Sequence, residues 1–275
     1  MAVAYPSSSA EWARFASAAR VFDLEHPLEV GMPVTPAHPG YRMALVRRHG
    51  DMFRDEATSA ANELIVLGGH TGTHLDALAH ISLHGKLHGG VDAHEAQVGG
   101  RFKTLGIDTV VPMLCPGVLL DVAGHRGVET LPPVPITADD LRAVAAAEGV
   151  AVPQKGAVLV RSGWARLWGN PEAYLGRASG VPGPDVSAAE WLGELGVKVT
   201  AHDSMAYEHM VPGIGPAHEP VHPILLVKHG IHIVENINLE ELAAARVYQF
   251  LFVCLPLKLV GATGSPVRPI AVAFP

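Results

Sequence analysis

The chain has little cysteine, few aromatic residues and no excess of basic charge. Cys115 and Cys254 are its two cysteines, and both lie in apolar, strand-like surroundings. We therefore expect small buried side chains rather than a disulfide or a zinc–thiolate site. Lys and Arg total 20 against 27 Asp and Glu, which gives a net charge of −7. Such a balance, without a basic run, lacks the electrostatic footprint of a nucleic-acid-binding protein, and nothing favours an anionic membrane surface.

Long apolar runs and the common nucleotide-binding motifs are also missing. The first twenty residues lack a basic start followed by an uninterrupted apolar stretch, and no run of eighteen apolar residues occurs. We therefore expect neither a signal peptide nor a membrane span, and we predict a cytoplasmic protein. The G-x-x-x-x-G-K-[ST], G-x-G-x-x-G and G-x-S-x-G motifs are absent, which argues against a phosphate-binding loop and a serine nucleophile.

What the sequence contains favours an α/β fold. Hydrophobic residues make up 48% of the chain and aromatic residues 6%, and a dominance of Ala, Val, Leu and Gly is typical of buried strands packed against helices. The length suits one elaborated domain. We predict a single domain over residues 1–275, with a helical extension over residues 1–20.

Capping signals and β-branched apolar runs predict the individual elements. Helices are predicted from the capping box of Ser8 and Glu11 to about Ala19, from Thr137 to Gly149, from a second box of Ser187 and Glu190 to Gly196, and from Leu239 to Arg246. Strands are predicted at Leu64–Leu67, Val118–Val122, Ala157–Val160, Val197–Thr200 and Ile231–Val234, followed by a closing pair, 248–259 and 268–274, around a Gly-Ala-Thr-Gly-Ser-Pro turn.

Histidines concentrate in the stretch GGHTGTHLDALAHISLHGKLHGG, which holds five of the chain's sixteen within residues 68–90. On a helix, His70 and His74 would share a face while Asp76 would point about 120° away from His70. On a strand all three project from one side, and the preceding ELIVLGG reads as a strand. His80 has the same parity, so it can face the same pocket without being a ligand.

Two imidazoles and one carboxylate suit Zn²⁺ or Mn²⁺ better than Mg²⁺ or Ca²⁺, which prefer all-oxygen ligand sets. Three protein ligands leave a position for water, which is typical of a catalytic metal. A polar loop or a dimer contact is the alternative. The later histidines His84, His88 and His94 are expected to be loop residues, with one in contact with substrate at most.

A second cluster, GPAHEPVHPILLVKHGIHIVEN, covers residues 215–236. His222 begins an apolar run that reads as a short helix, and Glu235 ends a strand, so this pair could complete a second metal position. The residues alone leave the choice open. His218, His229 and His232 are equal candidates, and His202 with Asp203 forms another polar pair at a strand end, where α/β proteins place chemistry.

The segment HTGTHLDALAH resembles the H-x-G-T-H-x-D-x-P-x-H signature of the metal-dependent cyclase family, which includes bacterial kynurenine formamidases, isatin hydrolases and trans-dienelactone hydrolases. The resemblance extends through most of the chain. Leu78 stands where the signature has proline, so the turn carrying His80 is not set by a fixed φ. The other matching segments are FDLEHPLEVGMPVTPAHPG (22–40), GAVLVRSGW (156–164) and HPILLVKHGIHIVENINLEEL (222–242).

The resemblance implies both a fold and a set of roles. The implied fold is a mixed α/β sheet with a β-barrel-like core, a swivelling β/β/α arrangement, in homodimers or homotetramers. One or two Mn²⁺ or Zn²⁺ ions are implied, with His80 as the general acid/base. The implied metal ligands are His70, His74, Asp76, His222 and Glu235.

The predicted function is hydrolysis of a linear or cyclic amide bond in a small molecule by water that a metal activates. Three alternatives use the same residues: a lactone hydrolase of the trans-dienelactone type, a metal-dependent cyclase or lyase, and a non-catalytic metal-binding member of the fold. The chain is longer than a minimal kynurenine formamidase, with additional residues after His80 and between residues 164 and 222. We expect these insertions to border the pocket. In length the chain is closer to the isatin-hydrolase and lactonase branch.

Overall fold

A computed structural model describes residues 8–55, 57–213 and 218–274. Within these ranges the helices are α1 (Ser9–Ala18), α2 (Ala93–Ala96), α3 (Val122–His125), α4 (Ala138–Glu148), α5 (Pro171–Leu175), α6 (Val186–Glu194) and α7 (Glu240–Ala244). A π-helix covers Pro223–His229. None of the helices in the described ranges is long and apolar enough to cross a membrane.

The strands in these ranges are mostly short. They are β1 (Arg20–Asp23), β2 (Arg42–Arg47), β3 (Asn62–Val66), β4 (His74–Asp76), β5 (Gln97–Val98), β6 (Arg101–Phe102), β7 (Met113–Asp121), β8 (Pro135–Ile136), β9 (Ala157–Arg161), β10 (Gly183–Pro184), β11 (Val199–His202), β12 (His232–Glu235), β13 (Gln249–Cys254), β14 (Gly264–Pro266) and β15 (Ile270–Ala273).

Nine strands form one mixed sheet in the order β1-β15-β13-β7-β9-β11-β12-β4-β14. The four central strands β7, β9, β11 and β12 run parallel, and the strands on either side pair antiparallel. The predicted mixed α/β fold is confirmed. This order places β4, with its histidine and aspartate, directly beside the end of the parallel block.

The central sheet is buried on both faces, which explains the continuous apolar runs of its strands. In β9, Val158 and Val160 pack into a cluster with α4, α6 and the π-helix. Ala157 and Leu159 of the same strand point the other way, into a second cluster built around Phe252. The sheet therefore carries a hydrophobic core on each side, and its rigid strand ends can hold a site.

Two predicted helix starts are confirmed and one is wrong. Capping boxes open α1 at Ser8 and α4 at Thr137. The predicted box at Ser187 does not form, because Asp185 is the N-cap of α6 and accepts the amide of Ala188 at 3.0 Å. The Ser187 hydroxyl donates to Asp185 instead.

The closing strands form a pair, as predicted, since β13 and β15 are antiparallel neighbours. The predicted turn between them contains a further strand: β14 pairs with β4, with Gly264 opposite Asp76 and Pro266 opposite His74. The predicted strand at Leu64–Leu67 is β3, but it lies outside the large sheet in a hairpin with β2, where its side chains are exposed.

Candidate metal centre

The first half of the centre comes from the His70–Asp76 segment. His74 and Asp76 lie on one face of β4 while Leu75 points into the core, so the alternation of a strand places both polar side chains together. The prediction placed His70 on the same strand as His74 and Asp76, but the strand does not extend back to His70. It begins at His74, because Gly72 adopts a left-handed φ of +66° and turns the chain.

The turn nevertheless brings His70 onto Asp76. His70 Nδ1 lies 2.7 Å from Asp76 Oδ1, and His74 Nε2 lies 3.6 Å from the same oxygen. Asp76 is fully buried and His74 is 3% exposed. Three side chains from seven consecutive residues therefore converge in a site that excludes water from the carboxylate.

The second half comes from the far end of the chain. His222 immediately precedes the π-helix, and Glu235 ends β12, which pairs with β4 so that Glu235 lies opposite His74. His222 Nε2 is 3.1 Å from Glu235 Oε1 and 3.9 Å from Asp76 Oδ2. Glu235 Oε2 is 3.4 Å from His74 Nε2. The register of two strands thus joins the halves.

The ligand atoms form two overlapping groups. His70, His74 and Asp76 make one group and Asp76, His222 and Glu235 make the other, with each group's atoms within 4.8 Å of one another. Asp76 Oδ2 is buried and has no hydrogen-bond partner among the residues that the structure describes. An ionised oxygen in that position is costly unless a cation satisfies it, so the donor set fits one or two N/O-ligated divalent ions.

The charges within the cluster are strongly coupled. Burial acts to raise the pKa of Asp76, but the neighbouring His80 and His70 outweigh it and hold the pKa well below its usual value. Burial raises the pKa of Glu235, and the nearby Asp76 carboxylate adds to the shift. Burial lowers the pKa of His74 to about 4, which leaves that imidazole neutral and able to donate a lone pair near pH 7.

His80 lies beside the first half without belonging to it. Its amide donates to the Ala77 carbonyl at 2.9 Å and closes a turn, so the turn forms with leucine in place of the signature's proline. Its ring stacks on His70 at 4.0 Å between centroids and lies 6.3 Å from His222. The side chain forms no hydrogen bond with any described residue, and burial lowers its pKa to about 3.

The other candidates lie elsewhere. His232 donates from Nδ1 to the Asp76 carbonyl at 2.9 Å and so supports β4 without facing its side chain. His229 pairs with Glu190 at the surface.

Asp203 accepts the amides of Ser162 and Gly163 in the core. His88 bonds the Val227 carbonyl, His202 is buried beside Ser204, and His84, His94 and His218 are exposed.

The sequence did not reveal three residues around the centre. The ring of His38 stacks near His70 at 5.4 Å. Glu208 is 2.6 Å from His222 Nδ1, and Thr263 Oγ1 is 2.9 Å from His70 Nε2. No spacing rule relates these residues to the signature, because loops and strand register bring them there.

A cavity opens beside the centre. His38, His70, His74 and Glu235 line a small enclosed space together with Leu175 and Met205. The same leucine and methionine also line a larger neighbouring cavity of about 450 Å³. Its other walls are mostly apolar, including Pro36, Ala37, Met210 and Val211, with Arg177 as the charged residue of the lining. A small organic molecule can therefore be held next to the ligand cluster.

The Cyclase family model, described as "Putative cyclase", matches residues 22–209. The chain belongs to this family. The matched range includes His70, His74, Asp76 and His80 and ends before His222.

Relatives and solved structures agree with this membership. Cyclase-like protein 2 of Oryza sativa subsp. japonica is 27% identical over 276 residues, covering 98% of this chain and 85% of that protein. The kynurenine formamidase of Bacillus cereus (strain ATCC 10987 / NRS 248) is 34% identical over 94 residues, covering 33% of this chain and 39% of that protein.

Among solved structures, a novel cyclase superposes with a TM-score of 0.83 at 26% identity, covering 94% of this chain and 92% of that one. Isatin hydrolase A from Ralstonia solanacearum superposes with a TM-score of 0.75 at 23% identity, covering 99% of both chains. The first match and the family model place this chain in the cyclase fold, and the second shows a shared fold.

Proposed function

We propose that this protein is a metal-dependent hydrolase that cleaves a C–N amide bond, linear or cyclic, in a small molecule. One observation carries the proposal: two overlapping groups of buried ligand atoms share Asp76, and His80 lies beside them with no hydrogen-bond partner among the described residues. The names of the kynurenine formamidase and isatin hydrolase relatives support the bond type. A homodimer or homotetramer acting in the cytoplasm remains our prediction.

The proposed ligands are His70, His74, Asp76, His222 and Glu235, which would hold Mn²⁺ or Zn²⁺. When bound, the ion supplies Lewis acidity and brings the pKa of water towards neutrality. The buried carboxylates of Asp76 and Glu235 and the neutral His74 provide an oxygen–nitrogen set without thiolates, which accepts either metal.

His80 moves the proton in this proposal. Its ring forms no hydrogen bond with any described residue, which leaves the imidazole able to accept a proton from the attacking water and pass it to the leaving nitrogen. The ring's stack on His70 holds it beside the ligands. The apolar walls of the adjoining cavity, including Leu175 and Met205, hold the substrate and limit the entry of water.

The first experiment measures metal content by elemental analysis, on protein purified without a histidine tag and reconstituted separately with Mn²⁺ and Zn²⁺. About one or two equivalents are expected for five ligands in two groups.

The loaded protein is then assayed on N-formyl arylamines, cyclic amides and lactones, with product masses determined. Turnover of an amide substrate with the addition of one water to the product mass supports the proposal. Turnover of lactones alone, or products without added water, would replace it with the lactonase or cyclase alternative, and absence of metal after reconstitution would overturn it.

A further inference from the structure

Glu208 holds His222 from the side opposite the metal ligands. Its Oε1 accepts from His222 Nδ1 at 2.6 Å and from the His222 amide at 3.1 Å, and its Oε2 accepts the Val221 amide at 3.0 Å. The residue is 1% exposed. A buried carboxylate that receives three donors is satisfied within the protein, so Glu208 is occupied and directed away from Asp76.

The local backbone places this carboxylate. Tyr207 adopts a left-handed φ of +55°, and its hydroxyl is 2.7 Å from Thr200 Oγ1 in the core. The backbone of residues 207 and 208 packs directly on Gly183, where a Cβ would lie within 2.5 Å of the Tyr207 carbonyl oxygen. Close packing of this kind leaves the Glu208 side chain little freedom to move.

Fixing one nitrogen of His222 determines what the other nitrogen faces. Because Nδ1–H donates to Glu208, Nε2 points towards Glu235 and Asp76, at 3.1 and 3.9 Å. A histidine ligand whose second nitrogen is bonded to a carboxylate is held in one tautomer and one ring orientation.

His70 has an equivalent arrangement with the nitrogens exchanged. Its Nε2 is 2.9 Å from Thr263 Oγ1, and its Nδ1 is 2.7 Å from Asp76. The ring lies against Gly264, where a Cβ would be 2.5 Å from the His70 Cε1 atom, so only glycine leaves room for it. His74 needs no side-chain partner, because its Nδ1 donates to the Gly72 carbonyl at 2.8 Å.

We propose that Glu208 and Thr263 are positioning residues that orient His222 and His70 for the metal, each serving one of the two ligand groups. Neither residue is a ligand. The inference rests on the proposed metal centre, and it assigns the two residues to different groups, which overlap only at Asp76.

Glu208→Gln and Thr263→Val test the inference, with Thr263→Ser as the conservative variant that keeps the hydroxyl. Glu190→Gln is the matched control, since Glu190 also pairs with a histidine, His229, at 2.9 Å, but near the surface. Dissociation constants for Zn²⁺ and Mn²⁺ are measured by chelator competition. Each of the first two variants should bind about 10–100-fold more weakly, while Thr263→Ser and Glu190→Gln stay close to wild type.

The melting temperatures of the metal-free variants distinguish loss of ligand positioning from loss of the folded structure. The expected result is weaker binding in variants that melt as a single transition near wild type. If the wild-type protein bound two ions, Glu208→Gln and Thr263→Val should weaken different equivalents, and weakening of the same one would overturn the separate assignment.

The failures are distinguishable. Wild-type protein that binds no metal would remove the proposed function together with this inference. Wild-type protein that binds metal, with both variants within threefold of its affinity, would overturn this inference alone. Should Glu208→Gln not fold, the Val and Ser variants of Thr263 decide the matter, because valine and threonine have nearly the same shape.

Discussion

The two halves of the centre are built differently from the same kinds of side chain. His70, His74 and Asp76 lie within seven residues, and one turn and one short strand bring them together. His222 and Glu235 reach the same place through a π-helix and the pairing of β12 with β4. The ligands of the first half come from one short segment, whereas those of the second come from two elements that strand pairing must bring to it. We therefore expect the second half to be the more sensitive to distant changes in packing.

The largest effect is expected from Asp76→Asn, because Asp76 belongs to both ligand groups. The amide keeps the shape of the side chain but removes the buried charge that a cation would balance. Metal bound after reconstitution and dialysis should fall to the buffer background by elemental analysis, and amide hydrolysis should be lost. Asp139→Asn, at a side chain that is 92% exposed, serves as the control. Wild-type metal content in Asp76→Asn would contradict the assignment of Asp76 as a ligand shared by the two groups.

His80→Gln tests a residue that contacts one half and not the other. We expect kcat to fall by about 10²–10⁴-fold, the usual contribution of a general acid/base, while metal content stays at the wild-type level. Steady-state kinetics with elemental analysis of the same sample provides both values. A variant that hydrolyses as fast as wild type would mean that another group transfers the proton.

Glu235→Gln removes a ligand from the second half only. Metal binding should weaken without disappearing, since His70, His74 and Asp76 remain in place. Calorimetric titration with Mn²⁺ would measure the change, and His70→Ala is the matched variant for the first half. Complete loss of metal in Glu235→Gln, equal to that of Asp76→Asn, would show that the halves bind as one unit.

The smallest effect is expected from a carboxylate outside both halves. Glu148 accepts the Asp121 amide at 3.0 Å, and burial, together with the charge of Asp121, raises the pKa of Glu148 from 4.5 to about 7. Between these values the folded state binds more protons than the unfolded chain, so this contribution to stability is full below about pH 4.5 and is lost as the pH rises through about 7.

Glu148→Gln should remove that part of the pH dependence. The melting temperature of the metal-free variant is expected to fall less than that of the wild type between about pH 5 and about pH 8, measured by calorimetry. Parallel curves for the two proteins would assign the pH dependence to other groups, and the ligand cluster would then be the first place to look.

Local patterns in the sequence predicted those parts of the fold that depend on local interactions. The capping box predicted at Ser8 and the helix start predicted at Thr137 are confirmed, because each signal involves residues within one helical turn. The box predicted at Ser187 does not form, because Asp185, two residues earlier, is the N-cap of α6. Strand β14 was predicted as a turn because its Gly and Pro content is typical of turns, and only its pairing with β4 makes it a strand.

The same division holds for the site. The spacing of His70, His74 and Asp76 predicted a cluster from the residues alone, although His70 reaches it by a turn rather than along a strand. His222 and Glu235 could not be distinguished from neighbouring histidines without the family resemblance. Glu208 and Thr263 carry no sequence signal, because their contacts depend on a left-handed residue and on strand register.

Strand β14 affects how readily the large sheet can pair with strands of other molecules. It forms one edge of the large sheet, next to the strand that carries His74 and Asp76. It is three residues long, and Pro266 has no amide hydrogen to offer an incoming strand. The Ser265 hydroxyl donates to the Pro266 carbonyl and accepts the Leu257 amide. The edge is therefore a poor template for intermolecular strand pairing, and it protects the adjacent ligand-bearing strand from being drawn into aggregates.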